Sequence, residues 1–276
     1  MKPKILFTKL VGTGNDFILI DNRKNGIRPS AYSSLSHQWT HCQNGIGADG
    51  VLFLEKSSRS SHAHLRMRIF NPDGSEAEMC GNGIRCLAYY AYHCGLVTKR
   101  MQIETMAGVL AAEITGKDQV RVQLSPPKEW RFNLNFKRSG LVLQGGFVNT
   151  GVPHAVFFVE DLESIDVTDL GRWIRYHQTF APKGTNVNFV QCKGPRQIAV
   201  RTYERGVEAE TLACGTGVTA SALISSQQKK VSPPIQVSTK GGETLTVDFK
   251  QESDTIQQVW LEGSVRMTFK GEIFHV

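Results

Sequence analysis

"EMCGNGIRC", Glu78 to Cys86, and "LACGTGVTA", Leu212 to Ala220, share one skeleton: cysteine, glycine, a polar residue, glycine and an aliphatic residue. A Gly-x-Gly turn that opens a helix lets the backbone come close to a ligand, and its first N–H groups point outward, where they attract anions. The same positive end favours a thiolate over a thiol. A single copy reads as well as an inert cysteine beside a tight turn. Two copies, one in each half, point instead to a chemistry that uses two thiols.

Each copy runs into a helical pattern. Residues 82 to 94, "NGIRCLAYYAYHC", place Ile84, Leu87, Ala88 and Ala91 on one face, with Gly95 as a natural stop. Residues 216 to 228, "TGVTASALISSQQ", are small and apolar nearly all round, as a helix enclosed by a sheet should be, and Lys229 and Lys230 follow where the dipole favours cations. A third helix is expected from about Asp169 to His177. Elsewhere short β-rich runs such as "GVLFLE", "LRMRIF", "HAVFFVE" and "TLTVDF" alternate with Gly, Asn, Asp and Pro punctuation. The repeated order of strands, helix and strands predicts an α+β chain of two similar halves. Pro126-Pro127 is the candidate boundary, giving residues 1–125 with 266–276 as one half and 126–265 as the other. A second pair, Pro233-Pro234, suits a turn before a hairpin.

The bulk numbers narrow the class. A chain of 276 residues that is 40% hydrophobic, with mean hydropathy −0.24, is too apolar for disorder and large enough for two cores. Its net charge of +7 comes from scattered Lys and Arg without a run of five, so an anionic metabolite fits better than nucleic acid. No stretch approaches the ~20 apolar residues of a membrane span, and a cytoplasmic protein is expected. Six cysteines without a secretion signal are expected to be thiols rather than a disulfide framework.

Disulfide exchange would want a C-x-x-C, and zinc would want compact ligand spacing; neither is present, so no metal is expected. His62 and His64 read as a solvated loop, and "GTGND" at 12 to 16 does not complete a dinucleotide fingerprint. A nucleophilic cysteine enzyme needs one thiol and a base. Proton transfer across a stereocentre does need two groups: one thiolate removes the α-proton and a thiol on the opposite face returns another. The helix N-termini would hold the α-carboxylate and the charge that builds on it.

The stretches "VGTGNDFILID" (11–21), "FNPDGSEAEMCGNGIRC" (70–86), "GVPHAVFFV" (151–159), "GTNVNFV" (184–190), "YERGVEAETLACGTG" (203–217) and "VWLEGSVRMTFKGEI" (259–273) together resemble diaminopimelate epimerase, in that family's order. The resemblance implies a cofactor-independent enzyme that interconverts LL- and meso-2,6-diaminopimelate on the route to lysine and peptidoglycan. It further implies two barrel-like halves, each around a central helix, a cleft between them, and a homodimer. By position it makes Cys80 and Cys214 the acid/base thiols, and Gly81, Asn82, Gly215 and Thr216 the cradle of the α-carboxylate. Asn15, Asn71, Asn186, Glu204 and Arg205 become substrate contacts, with Arg205 on the distal carboxylate, where a planar fork suits better than a lysine. His154 and Glu204 become the groups that tune the thiols, one near each cysteine. Three positions depart from the family pattern: Gly50 where a glutamine is common, Val152 where an asparagine is common, and one extra residue in "GVEAET" before Cys214. Two other readings share these motifs: a proline racemase-like or broader two-cysteine amino acid racemase, and a small-ligand-binding protein of the same fold.

Overall fold

The computed structural model describes residues 4–58, 62–138, 140–252 and 255–274; the expected first half therefore has its ends, 1–3 and 275–276, outside the described residues, as are 59–61 of the His62 loop. The chain divides into two compact units, Met1–Gln123 with Glu262–Val276, and Leu124–Leu261.

The first unit runs β1 (Lys4–Gly12), β2 (Asn15–Asp21), a one-turn helix α1 (Asn22–Asn25), α2 (Tyr32–Thr40), β3 (Gly50–Lys56), β4 (Leu65–Phe70), β5 (Glu76–Ala77), α3 (Gly81–His93), β6 (Arg100–Thr105), β7 (Gly108–Ile114) and β8 (Gln119–Gln123). The second continues with β9 (Lys128–Arg138), β10 (Leu141–Asn149), β11 (Pro153–Phe158), α4 (Val167–Arg175), β12 (Asn186–Gly194), β13 (Gln197–Glu204), β14 (Ala209–Thr211), α5 (Gly215–Gln227), β15 (Ile235–Thr239), β16 (Thr244–Glu252) and β17 (Thr255–Phe274), whose residues from Glu262 belong to the first unit.

Both units are built to one plan. In the first, β1 and β2 form a hairpin, β2 and β3 run parallel with Phe17 opposite Gly50, and β3 to β5 are antiparallel neighbours. In the second, β10 and β11 are antiparallel, β11 and β12 run parallel with His154 opposite Asn186, and β12 to β14 are antiparallel neighbours. A 13-residue helix follows in each case. Within its own unit α3 packs against β1 to β4 and β6 to β8, and α5 against β10 to β13, β15 and β16. A helix enclosed by strands presents mostly apolar or small residues to them: Ile84, Leu87, Ala88 and Ala91 of α3 and Ala220, Ala222, Leu223 and Ile224 of α5 are fully buried, with Arg85 the charged exception in α3.

Capping fixes the ends. Cys94 caps α3, and Gly95 follows with φ 69; the N–H of Leu96 reaches the carbonyl of Ala91, and that of Gly95 the carbonyl of Tyr92, which closes the helix with a left-handed residue. In α5 the same place is taken by Lys229, with φ 56. The third helix begins earlier than its sequence pattern indicates, at Val167, because the Asp166 carboxylate accepts the N–H of Asp169 at 2.9 Å. Pro233-Pro234 leads directly into the β15–β16 hairpin.

Each unit has its own aromatic core. In the first, Tyr32 stacks on Phe53 with centroids 3.7 Å apart, and Phe70 meets both edge-on. In the second, Phe136, Phe157 and Phe180 gather under α4 with Ile174 and Val167. Side chains of this size each contribute about 1.5 to 3 kcal/mol when fully buried, which anchors the strands that carry the site residues.

Candidate active site

Cys80 is the residue before the first turn of α3, in an extended conformation (φ −140, ψ 121), and its sulfur accepts the N–H of Gly83 at 3.5 Å. Gly81 and Asn82 follow inside the first turn, both buried. Behind them lies Arg85, fully buried. Its guanidinium donates to the carbonyl of Gly81 (3.2 Å), to Thr13 Oγ1 (2.7 Å) and to Asn82 Oδ1 (2.8 Å). Asn82 Nδ2 in turn donates to Asn15 Oδ1 at 2.6 Å, and Asn15 Nδ2 to Asp49 Oδ2 at 2.9 Å. The amides of Asn15 and Asn82 therefore have fixed orientations, and a buried cation reinforces the positive end of the helix. Thr13 reaches Arg85 from a strained place: it has φ 49 in the two-residue turn between β1 and β2, unusual for a β-branched residue. Asn71 is exposed and ties its own turn together, donating to Ser75 Oγ at 3.0 Å.

Cys214 holds the same place before α5 (φ −126, ψ 109) and is 8% exposed. Its sulfur lies 3.4 Å from Thr216 Oγ1. Thr216 is also 3.0 Å from His154 Nε2, and its carbonyl accepts the hydroxyl of Thr150 at 3.0 Å. His154 is fully buried on β11, and burial, helped by the positive charge of Arg205, pushes its pKa down from 6.5 to about 3, so the ring is neutral. Glu204, at the end of β13, is half-buried; burial raises its pKa, and hydrogen bonding to Thr211 and then Cys214 partly offsets that rise. The resemblance assigned His154 and Glu204 one to each thiol; within this unit both bear on Cys214, Glu204 directly and His154 through Thr216.

Asn186 spends its amide on the protein: Nδ2 donates to the carbonyl of Pro153 at 2.9 Å, and Oδ1 accepts the N–H of Arg205 at 2.8 Å. It therefore pins the turn that presents Arg205, whose Nη1 donates to the carbonyl of Lys183 at 3.3 Å. Gly50 stands at the register position of Asn186 in the first unit, opposite Phe17 as Asn186 is opposite His154. The turn from Glu204 to Ala209, which leads towards Cys214, is one residue longer than its counterpart in the first unit. Phe70 pairs with Glu76 in the first unit and Tyr203 with Glu210 in the second, so one more residue separates the paired strands there. That turn takes Glu208 at φ 58, and its carboxylate accepts from Arg175 Nε (3.2 Å), the N–H of Gly206 (3.1 Å) and Tyr203 OH (3.3 Å).

Four residues escape the sequence reading: Arg85, Thr13, Asp49 and Asn188. Asn188 is fully buried, with Oδ1 accepting from Thr202 Oγ1 at 3.0 Å and Nδ2 near His154 Nδ1 at 3.1 Å. Its signal was available, because "NVNFV" alternates polar and apolar residues and puts Asn188 on the same strand face as Asn186. All six cysteines are thiols, and among the described residues no cluster of three His, Cys, Asp or Glu side chains is placed to hold a metal ion. Among the described residues no helix is long and apolar enough to cross a membrane.

The two-unit, strand-rich architecture with an enclosed helix in each unit is shared with solved structures. A phenazine biosynthesis protein of the PhzF family from Bacillus anthracis superposes with a TM-score of 0.76 at 16% identity, covering 98% of this chain and 99% of that one. A hydroxyproline epimerase from Agrobacterium vitis gives 0.73 at 14% identity, covering 99% and 91%. At such identities the likeness is one of fold, and the fold is that of the two-halved, strand-rich epimerases. Sequence narrows this to one family. The sequence model described as diaminopimelate epimerase matches residues 7–130 and 146–268. Proteins named diaminopimelate epimerase from Aquifex aeolicus and a Hydrogenobaculum species are 44% and 42% identical, each over 97% of this chain and 97% and 98% of theirs. The chain belongs to the diaminopimelate epimerase family and is an isomerase.

Proposed function

We propose that the protein interconverts LL- and meso-2,6-diaminopimelate by two-base proton transfer, with Cys80 and Cys214 as the acid/base pair and without pyridoxal phosphate or metal. The observation that carries this reading is the duplicated placement of a thiol at the N-terminus of an enclosed 13-residue helix, in a chain whose relatives at 42 to 44% identity bear that name. One thiolate takes the α-proton; the other thiol returns a proton to the opposite face, inverting the centre. The first-turn N–H groups at Gly81, Asn82, Gly215 and Thr216 stabilise the α-carboxylate as negative charge builds on it. Asn15, Asn71, Asn186, Glu204 and Arg205 form the remaining substrate surface, with Arg205 on the distal carboxylate. Asn186 acts through its hold on the Arg205 turn. The hydroxyproline epimerase shares only the fold at 14% identity, so a proline racemase-like substrate has less support. The working form we propose is a cytoplasmic homodimer supplying lysine and peptidoglycan synthesis, as the family resemblance suggests; light scattering on the purified protein tests the dimer.

The deciding experiment incubates purified protein with LL-diaminopimelate in D₂O, with no cofactor added. Formation of the meso isomer with deuterium at the α-carbon is expected. Turnover of proline or hydroxyproline with diaminopimelate untouched would overturn the assignment.

A further inference from the structure

The Cys214 sulfur stands at the end of a hydrogen-bond chain whose direction can be read from its partners. The carbonyl of Ala155 only accepts, so the atom of Asn188 that lies 3.1 Å from it is the amide nitrogen, and Asn188 Oδ1 takes the hydroxyl of Thr202 at 3.0 Å. The second N–H of the same amide faces His154 Nδ1 at 3.1 Å. An amide nitrogen cannot accept, so Nδ1 is the acceptor and the neutral ring carries its hydrogen on Nε2. Nε2 therefore donates to Thr216 Oγ1 at 3.0 Å, which leaves the threonine hydroxyl hydrogen for Cys214 Sγ at 3.4 Å.

Resting on the assignment of Cys214 as an acid/base thiol, we propose that Asn188 and Thr216 are positioning residues. They lock His154 as a permanent neutral donor, so that the Thr216 hydroxyl stabilises the Cys214 thiolate. His154 then carries no proton of the reaction; it orients a hydroxyl. The backbone would tolerate no bulk in between: a Cβ on Gly217 would sit 2.5 Å from Asn188 Oδ1 and 3.3 Å from His154 Cε1. Two charged groups bear on the chain, Glu204 through its hydrogen bond to Cys214 and Arg205 through its charge on His154.

The test follows alkylation of Cys214 by iodoacetamide against pH in the full-length protein, with the Cys214 peptide quantified by mass spectrometry. Thr216→Val is expected to move the midpoint up by about one pH unit, the size of one lost hydrogen bond to a charged group, whereas Thr216→Ser leaves it in place. Asn188→Leu, which copies Leu52 of the first unit, is expected to move it in the same direction as Thr216→Val. Coincident midpoints for Thr216→Val and Thr216→Ser overturn the proposal, as does a ¹⁵N spectrum showing His154 protonated on Nδ1. The alkylation readout needs no substrate: a wild-type protein that leaves diaminopimelate unchanged yet shows the Thr216→Val shift sinks the epimerase reading and keeps the chain of donors.

Discussion

At the N-terminus of α3, the groups behind the thiol are a buried guanidinium and two asparagine amides; behind the thiol of α5 they are a neutral imidazole, a buried amide and two threonines. The backbone device is the same in both places, an extended cysteine followed by Gly-x-Gly. Its surroundings have diverged position by position. The fifth residue after each cysteine is Arg85 in one helix and Thr219 in the other, and the register partners Phe17 and Gly50 correspond to His154 and Asn186. The two helix starts share one backbone geometry, and the side chains behind them surround the two thiols differently. The proposed reaction has no reason to keep them alike, because LL- and meso-diaminopimelate are diastereomers and the two directions of proton transfer start from different molecules.

The comparison breaks most sharply at the sulfur atoms themselves. Cys80→Ala and Cys214→Ala are each expected to lower epimerisation by about a thousandfold or more, in the range of a lost general acid or base. The measurement is meso isomer formed from the LL substrate. A variant that retained a tenth of wild-type activity would show that its thiol is not half of a pair.

Next come the fifth positions. Arg85→Met removes three donors and leaves Thr13 and Asn82 without their buried partner, an expected loss of about 2 to 4 kcal/mol in unfolding free energy by urea denaturation. Thr219→Val removes a single bond from Oγ1 to the carbonyl of Gly215 and is expected to cost about 1 kcal/mol or less. Equal losses would mean that the guanidinium is no more structural than the hydroxyl.

The third positions set the same contrast at smaller size. A methyl on Gly217 would strike Asn188 Oδ1 at 2.5 Å, an atom held by Thr202; a methyl on Gly83 would meet Leu52 Cδ2 at 3.0 Å and Ile69 Cδ1 at 3.2 Å, side-chain ends that can yield. Gly217→Ala is expected to cost about 2 to 3 kcal/mol and Gly83→Ala about 1, read again from urea midpoints. The reverse order would place the more rigid wall in the first unit.

How much of this could be read from the chain depends on what each feature is made of. The two helices were legible because an enclosed helix needs apolar or small residues over three turns, and Cys-Gly-x-Gly recurs in sequence. The start of each helix directly after its cysteine was legible for the same local reason. Arg85 was not, because one arginine within an apolar face reads as an exposed exception until Thr13, Asn82 and the Gly81 carbonyl are seen to close round it. Asn188 was half legible: the alternation in "NVNFV" put it beside Asn186, but its role depends on the parallel pairing of β11 and β12, which brings His154 from some thirty residues away. That the turn from Glu204 to Ala209 is one residue longer than its counterpart in the first unit could not be read from the sequence, because it follows only from strand register.

The smallest expected effect separates the units by pH. His154 is buried neutral, with a folded pKa near 3 against an ordinary 6.5. Below pH 6.5 the unfolded chain takes up a proton that the folded chain refuses until about pH 3, so the contribution is fully present above 6.5 and is lost as pH falls through that window. At pH 5.5 the loss is about 1 kcal/mol, from one pH unit of unequal proton binding. The first unit carries Phe17 at the matching register and has no such term there. Hydrogen exchange read separately on α3 and α5 peptides should therefore show α5 losing protection between pH 7 and pH 5.5, after correction for intrinsic exchange, by about tenfold more in wild type than in His154→Gln, with α3 unchanged between the two. A His154→Gln protein whose α5 protection falls as steeply as wild type would show that the imidazole takes up its proton in the folded state, and with it the view of His154 as a fixed neutral donor would fail.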